Sequence, residues 1–263
     1  MFLHRKLDDG DVYFVDNREN RAESVGATFR VNGKTPELWD PATGETRPTS
    51  YSTTADGRTT VPLQLDRYGT TFVVFRKPST KIALKLPEPW EAVISSLDEA
   101  LSQDWKVSFE QRRGAPEAVG FQHLASWSEM PLPASDEGVK YFSGTATYSK
   151  TINIPADDVT KGAHLWLDLG DVRELAAVKV NGVDLGILWK TPYKVDVTDA
   201  IKPGENDIEI KVTNLWVNRM IGDQQTWALK KYASADFTPY KADSPLLPSG
   251  LLGPVHIVSV TAQ

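Results

Sequence analysis

The chain has no cysteine. That excludes disulfides, a thiolate nucleophile and a cysteine-ligated metal, and it leaves the compartment open, because bacterial envelope and cytosolic proteins both do without thiols. Histidine is scarce. His4, His123, His164 and His256 lie far apart, none falls in a His-Glu-x-x-His pair, and they read as structural, so no metal or cofactor is expected. No apolar run approaches the roughly 20 residues that cross a bilayer, so no membrane partner is expected. Met1-Phe2-Leu3-His4-Arg5 is not the hydrophobic core of a secretory signal. Excess positive charge is missing too: 29 Lys and Arg against 35 Asp and Glu give a net charge of −6, with no electrostatic reason to expect nucleic acid. Gly33-Lys34-Thr35 is similar to the end of a phosphate loop, but Thr28 stands where the leading glycine belongs. No Gly-x-Ser-x-Gly elbow exposes a nucleophilic serine, and there is no internal repeat.

What the chain does have is alternation. Its 263 residues, 40% hydrophobic and 24% charged, suit two medium domains that each bury a core. Val25, Ala27, Phe29 and Val31 alternate with Gly26, Thr28 and Arg30, and Asn32-Gly33 then leads to Leu38-Trp39, which is the signal of a two-residue hairpin. Asp56-Gly57 and Asn181-Gly182 repeat the device. Leu165, Leu167 and Leu169 alternate with Trp166 and Asp168, and Ile208, Ile210 and Val212 with Glu209 and Lys211, as in antiparallel sheets with one solvated face. Thr71 to Phe75 closes a first group of strands. Prolines 78, 87 and 89 then mark a join near residue 88. Glu91 to Leu101 is the single helix candidate. From Trp105, which shares a face with Val107 and Phe109, a longer strand series runs to the end, broken by loops at 130–138 and 224–253. The second loop carries Trp227, Tyr232, Phe237 and Tyr240, and ordered loops of that length are commonly functional or packed onto a neighbour.

The segment Asn214-Leu215-Trp216-Val217-Asn218-Arg219-Met220-Ile221-Gly222-Asp223 concentrates an indole, amides, a guanidinium and a carboxylate. A pyranose offers an apolar face to an indole and a rim of hydroxyls that donate and accept, so this mixture matches a sugar. The same residues equally suit internal bracing, with Trp216 and Met220 as core and Asn218 as a turn residue. Trp189 follows a strand and precedes Lys190-Thr191-Pro192-Tyr193, a place at the sandwich rim where Trp189 and Tyr193 either touch a ligand or serve packing alone. Most of the eight tryptophans must be core. Arg173-Glu174 is either a surface ion pair or a fork for hydroxyls. Asp8, Asp9 and Asp11, the pair Asp157-Asp158, and Asp168 with Asp171 read as turn or solvated carboxylates. A structural calcium at Asp168 and Asp171 is the alternative there. No catalytic pair of carboxylates is visible.

Several motifs together resemble the C-terminal β-sandwich region of glycoside hydrolase family 106, the α-L-rhamnosidases. Gly10-Asp11-Val12-Tyr13-Phe14-Val15-Asp16-Asn17 resembles the strand leaving that family's catalytic barrel, and Leu38-Trp39-Asp40-Pro41 its following sandwich. Tyr141-Phe142-Ser143-Gly144, Asp168-Leu169-Gly170-Asp171-Val172-Arg173, Leu188-Trp189-Lys190-Thr191-Pro192-Tyr193 and Ser249-Gly250-Leu251-Leu252-Gly253-Pro254 resemble the sugar-binding jelly roll shared with family 2. The resemblance implies an all-β protein of two antiparallel β-sandwiches, residues 1–88 and 89–263, the second a galactose-binding-like jelly roll. It implies a bacterial protein, periplasmic or secreted, whose catalytic barrel would precede residue 1, and it transfers no catalytic residue. The expected partners are a carbohydrate, such as a rhamnose-containing glycan, and that barrel. The expected carbohydrate-binding residues are Trp189, Tyr193, Trp216, Asn218, Arg219 and Asp223, and family 2 likeness implies that the last three lend side chains to an active site. The expected function is accessory: binding or positioning sugar and bracing the barrel. A purely structural domain and a self-sufficient glycosidase are the alternatives. Association costs limit such a site to millimolar affinity, about −4 kcal/mol.

Overall fold

The computed structural model describes residues 1–87, 90–130, 138–159, 163–228, 230–237 and 239–261. The chain divides into two compact units, Met1–Glu88 and Pro89–Gln263, each with its own apolar core. Both are antiparallel β-sandwiches, and the protein is all-β.

The first unit runs β1 (Phe2–Lys6), β2 (Asp11–Asp16), β3 (Glu23–Phe29), β4 (Lys34–Trp39), β5 (Thr46–Pro48), β6 (Tyr51–Thr53), β7 (Thr59–Leu65), β8 (Thr70–Pro78) and β9 (Ala83–Leu84). One sheet has the order β1-β2-β8-β4-β5 and the other β3-β7-β6-β9. Period-two patterning supplies the core between them: in β7, Val61, Leu63 and Leu65 are buried while Pro62 and Gln64 are exposed. The rings of Tyr13, Phe29 and Phe75 meet edge to face or tilted at 4.7 to 6.0 Å. β1 is an edge strand whose five residues are all exposed.

Two local features differ from the sequence pattern. Asn32-Gly33 does not close a hairpin, because β3 pairs with β7 and β4 with β8, so the chain crosses from one sheet to the other at this point. The crossing is held by non-hairpin bonds. Thr59 Oγ1 donates to the Val31 carbonyl at 2.8 Å, and the Ser79 amide donates to the Gly33 carbonyl at 2.8 Å. Val25, expected to face inward, is exposed; burial on that face begins at Ala27 and is complete only at Phe29 and Val31. The other two turn motifs do close hairpins. Thr54 to Arg58 joins β6 to β7, the Thr54 amide donating to the Arg58 carbonyl at 2.8 Å.

The second unit begins with β10 (Trp90–Val93), a 3₁₀ turn at Ser95–Leu97 and α1 (Asp98–Ser102), then β11 (Gln103–Phe109), β12 (Ala118–His123), β13 (Thr145–Ile154), β14 (His164–Asp168), β15 (Asp171–Arg173), β16 (Leu175–Val180), β17 (Val183–Leu188), β18 (Lys194–Asp196), β19 (Gly204–Thr213), α2 (Val217–Gly222), β20 (Gly250–Gly253) and β21 (His256–Thr261). A six-stranded sheet, β12-β11-β13-β19-β16-β17, faces a four-stranded one, β10-β21-β14-β18, and β15 pairs with β20. The helix expected over Glu91 to Leu101 is confined to its last turn. β-branched Val93 and Ile94 favour extended backbone, and β10 pairs with β21 instead. Leu97 and Leu101 still point inward, four residues apart. The loop expected at 130–138 lies almost wholly outside the described residues. Between β16 and β17, Asn181 and Gly182 adopt φ of 50° and 83°, as a two-residue hairpin turn demands.

The core between the two large sheets is aromatic at one end. Trp127 Nε1 donates to the Tyr148 hydroxyl at 2.6 Å, and the Leu251 amide donates to the same oxygen at 3.0 Å. Burial pushes the Tyr148 phenol well above its ordinary pKa, so it is neutral and fixed. Gly250 passes so close that an added Cβ would sit 2.5 Å from Trp127 Nε1, and its φ of +99° also excludes other residues.

Candidate functional site

The central strand β19 ends at Thr213, and the chain then turns through Asn214 to Trp216 into the short helix α2. Asn214 fixes the turn from both ends of its amide, donating to the Phe142 carbonyl at 2.8 Å and accepting from the Gly144 amide at 3.0 Å. Ser143 Oγ donates to the Leu215 carbonyl at 2.8 Å and accepts from the Arg219 amide at 3.2 Å. The helix is thus anchored to the loop that precedes β13. Its own side chains then anchor the long loop after it.

Asn218 pairs with Leu247 as one strand residue pairs with another: Nδ2 donates to the Leu247 carbonyl and Oδ1 accepts from the Leu247 amide, both at 2.8 Å. Arg219 Nε donates to Asp223 Oδ1 at 2.9 Å, with the two side chains only 4% and 3% exposed. Asp223 Oδ2 accepts the Tyr232 and Ala233 amides at 2.9 and 2.7 Å. The Arg219 guanidinium also lies 5.0 Å from the centroid of the Tyr232 ring. Three polar residues of the expected sugar site are therefore turned inward and bonded within the chain. The recess that Asn218 lines with Glu174, Asn214 and Leu247 measures about 10 Å³, room for about one water and no sugar.

The outward side of the same turn is different. Trp216 is 43% exposed, with the Arg113 guanidinium 5.1 Å from its ring centroid. Arg113 is itself held by Glu110 at 3.1 Å. Nearby in the fold, Trp227 is half-exposed and tilted against Tyr141 at 5.7 Å between centroids, while Gly222 abuts Tyr141 closely. This edge offers open indole surface beside a cation, which is chemistry that stacks a ring and donates to its substituents. Trp189, after β17, is 60% exposed and makes no ring contact with the α2 residues. Tyr193 is 6% exposed, its hydroxyl donating to the Glu174 carbonyl at 2.7 Å, so it is part of the wall behind the turn. The structure brings Trp216, Asn218, Arg219 and Asp223 together, sets Tyr193 behind them and leaves Trp189 on its own.

Arg113, Tyr141, Ser143 and Tyr232 were not identified as parts of this assembly from sequence. Arg113 stands in a turn with positive φ at Arg112 and Gly114, and nothing local links it to a tryptophan about a hundred positions later. Arg173 pairs with Asp171 at 2.7 Å, which assigns the ion pair to a partner other than Glu174. His4, His164 and His256 each bond a carboxylate, those of Asp11, Asp196 and Asp98. Asp168 accepts the Gly170 amide at 2.9 Å, a turn role. Among the described residues no three of His, Asp and Glu converge as metal ligands.

Comparison with known proteins supplies the context. Residues 1–53 match the family model described as alpha-L-rhamnosidase, glycoside hydrolase 106, and residues 124–238 match the glycosyl hydrolase 2 galactose-binding domain-like model. A solved rhamnosidase from Novosphingobium sp. PP1Y is 44% identical, superposes with a TM-score of 0.87 and covers 98% of this chain. The chain spans 23% of that protein's length. A putative beta-glucuronidase from Formosa agariphila is 39% identical over 180 residues, which is 60% of this chain and 15% of that protein. A second beta-glucuronidase of that organism is 39% identical over 97 residues, 36% of this chain and 10% of its own length. The chain is a glycoside hydrolase-associated pair of β-sandwiches, rhamnosidase-like throughout and galactose-binding-like in its second unit.

Proposed function

We propose that this chain is a non-catalytic, C-terminal part of an α-L-rhamnosidase-like glycoside hydrolase, which positions carbohydrate and braces the catalytic barrel. The observation that carries the reading is the exposed Trp216 ring with Arg113 over it, on a turn whose buried groups are spent on holding it in place. A rigid aromatic platform loses little entropy on binding, and the cation at its side can donate to hydroxyls. The likeness to a rhamnosidase about four times as long supports a supporting rather than a self-contained role. In this reading Trp216 and, separately, Trp189 touch sugar, while Asn218, Arg219, Asp223 and Tyr193 position the surface.

Titration with L-rhamnose and rhamnose-containing glycans, followed by tryptophan fluorescence, tests it. Millimolar binding is expected, weakened about tenfold in Trp216→Ala, corresponding to about 1.4 kcal/mol. No response across the glycans would refute the binding role. The inward bonding of Asn218, Arg219 and Asp223 favours the second reading, a purely structural brace. That reading expects the chain to bind an added catalytic barrel without any sugar response. Under both readings, purified chain releases no chromophore from an aryl α-L-rhamnoside.

A further inference from the structure

Away from α2, the outer face of the six-stranded sheet is shaped by an unusual alternation of side-chain length. On the central strand β13, the buried residues Ala146, Tyr148 and Ile152 face the core, so Thr145, Thr147, Ser149 and Thr151 face outward, and all four are short hydroxyls. The flanking strands carry long side chains on this face. Register places Lys106, Ser149, Glu209 and Lys179 in one row across β11, β13, β19 and β16. A low floor between high walls makes a cleft of about 690 Å³, with Ser149 and Thr151 in its lining.

The charges in this cleft are unequally committed. Asp207 accepts from Thr151 Oγ1 at 2.6 Å, and Glu209 lies 3.5 Å from Lys211. Asp104 stands close enough to Lys150 to favour its charged form against the burial that lowers it. Lys106 and Lys179 make no ion pair among the described residues. Two ammonium groups outside any ion pair thus stand at the ends of the row, Lys106 beside Ser149 and Lys179 beside Glu209, and the Ser149 hydroxyl, which donates and accepts, has no side-chain partner among the described residues. Three interstrand spacings separate the strands that bear the two lysines, roughly 14 Å, long enough for a short oligosaccharide lying across the strands. Among the described residues no aromatic ring lines the cleft, so its ligand is recognised by charge and hydroxyls rather than by stacking.

We propose that this cleft binds an acidic oligosaccharide, its carboxylates held by Lys106 and Lys179 and its hydroxyls by Ser149 and Glu209. The site is separate from the α2 edge and does not depend on binding there. The test is a ¹⁵N shift titration of the full chain with trigalacturonic acid, and with maltotriose as a neutral chain of the same length. The expected result is millimolar binding of the acidic trisaccharide, with shifts at Lys106, Ser149, Lys179 and Glu209, weakened by added salt. Lys106→Gln and Lys179→Gln should each weaken it about fivefold, as exposed ion pairs do. Both positions are at the surface, and the shift map of the unaltered chain tests the location without relying on either variant. Shifts confined to other regions, equal binding of maltotriose, or undiminished binding in the double variant would each overturn the proposal.

Discussion

Arg219 and Asp223 hold opposite charges out of water within one turn of helix, and each satisfies the other. Removing one strands its partner, so Asp223→Ala should lower unfolding free energy by about 3–5 kcal/mol in a urea titration. Trp216→Ala should change it by less than about 1 kcal/mol, because half of that ring already faces solvent. The pair of results separates the inward from the outward members of a segment that the sequence presents as one chemical set. Their composition was legible as suited to sugar or bracing, but the side each residue faces depends on where α2 starts, and no cap residue marks that start. Asp196 adds a pH effect. Burial alone would raise its pKa, but the Thr198 hydroxyl and amide, with His164, outweigh that and hold it below the ordinary range. Its native form therefore binds fewer protons than the unfolded chain. Its stabilising contribution is complete above the free-aspartate value of about 4 and is lost as pH falls through the lower native value. Asp196→Asn should flatten the acid limb of a stability profile measured by thermal melts.

Turn chemistry was the most readable signal among the elements and also the one that misled. Asn181-Gly182 joins adjacent strands of one sheet, whereas Asn32-Gly33 carries the chain between sheets. Both pairs tolerate positive φ; what differs is the partner each flanking strand finds tens of residues away, and that is invisible to a local pattern. The helix expected before Trp105 failed for the same reason, since β10 gains its hydrogen bonds from the distant C-terminal strand β21. The alternating runs in β14 and β19 are legible in the sequence because burial on one face repeats within the strand itself. Two glycines allow strain to be divided. At Gly182 nothing lies within 4 Å of an added Cβ, so Gly182→Ala should cost about 1 kcal/mol from backbone conformation alone. At Gly250 the same change also drives a methyl into Trp127 and Tyr148, and guanidinium denaturation should show a loss several times larger.

The molecule consists of two sandwiches with separate cores, one built around Tyr13, Phe29 and Phe75 and the other around Trp105, Trp127 and Tyr148. Residues 89–263 expressed alone should therefore keep near-ultraviolet circular dichroism and a cooperative melt. β1 has a different consequence, because Phe2 and Leu3 are 64% and 62% exposed on a strand with one unpaired edge. The charges of Arg5 and Lys6 guard only its far end. Concentrated solutions should consequently become turbid on storage, with light scattering reporting net attraction between molecules, and a lysine in place of Leu3 should keep them clear.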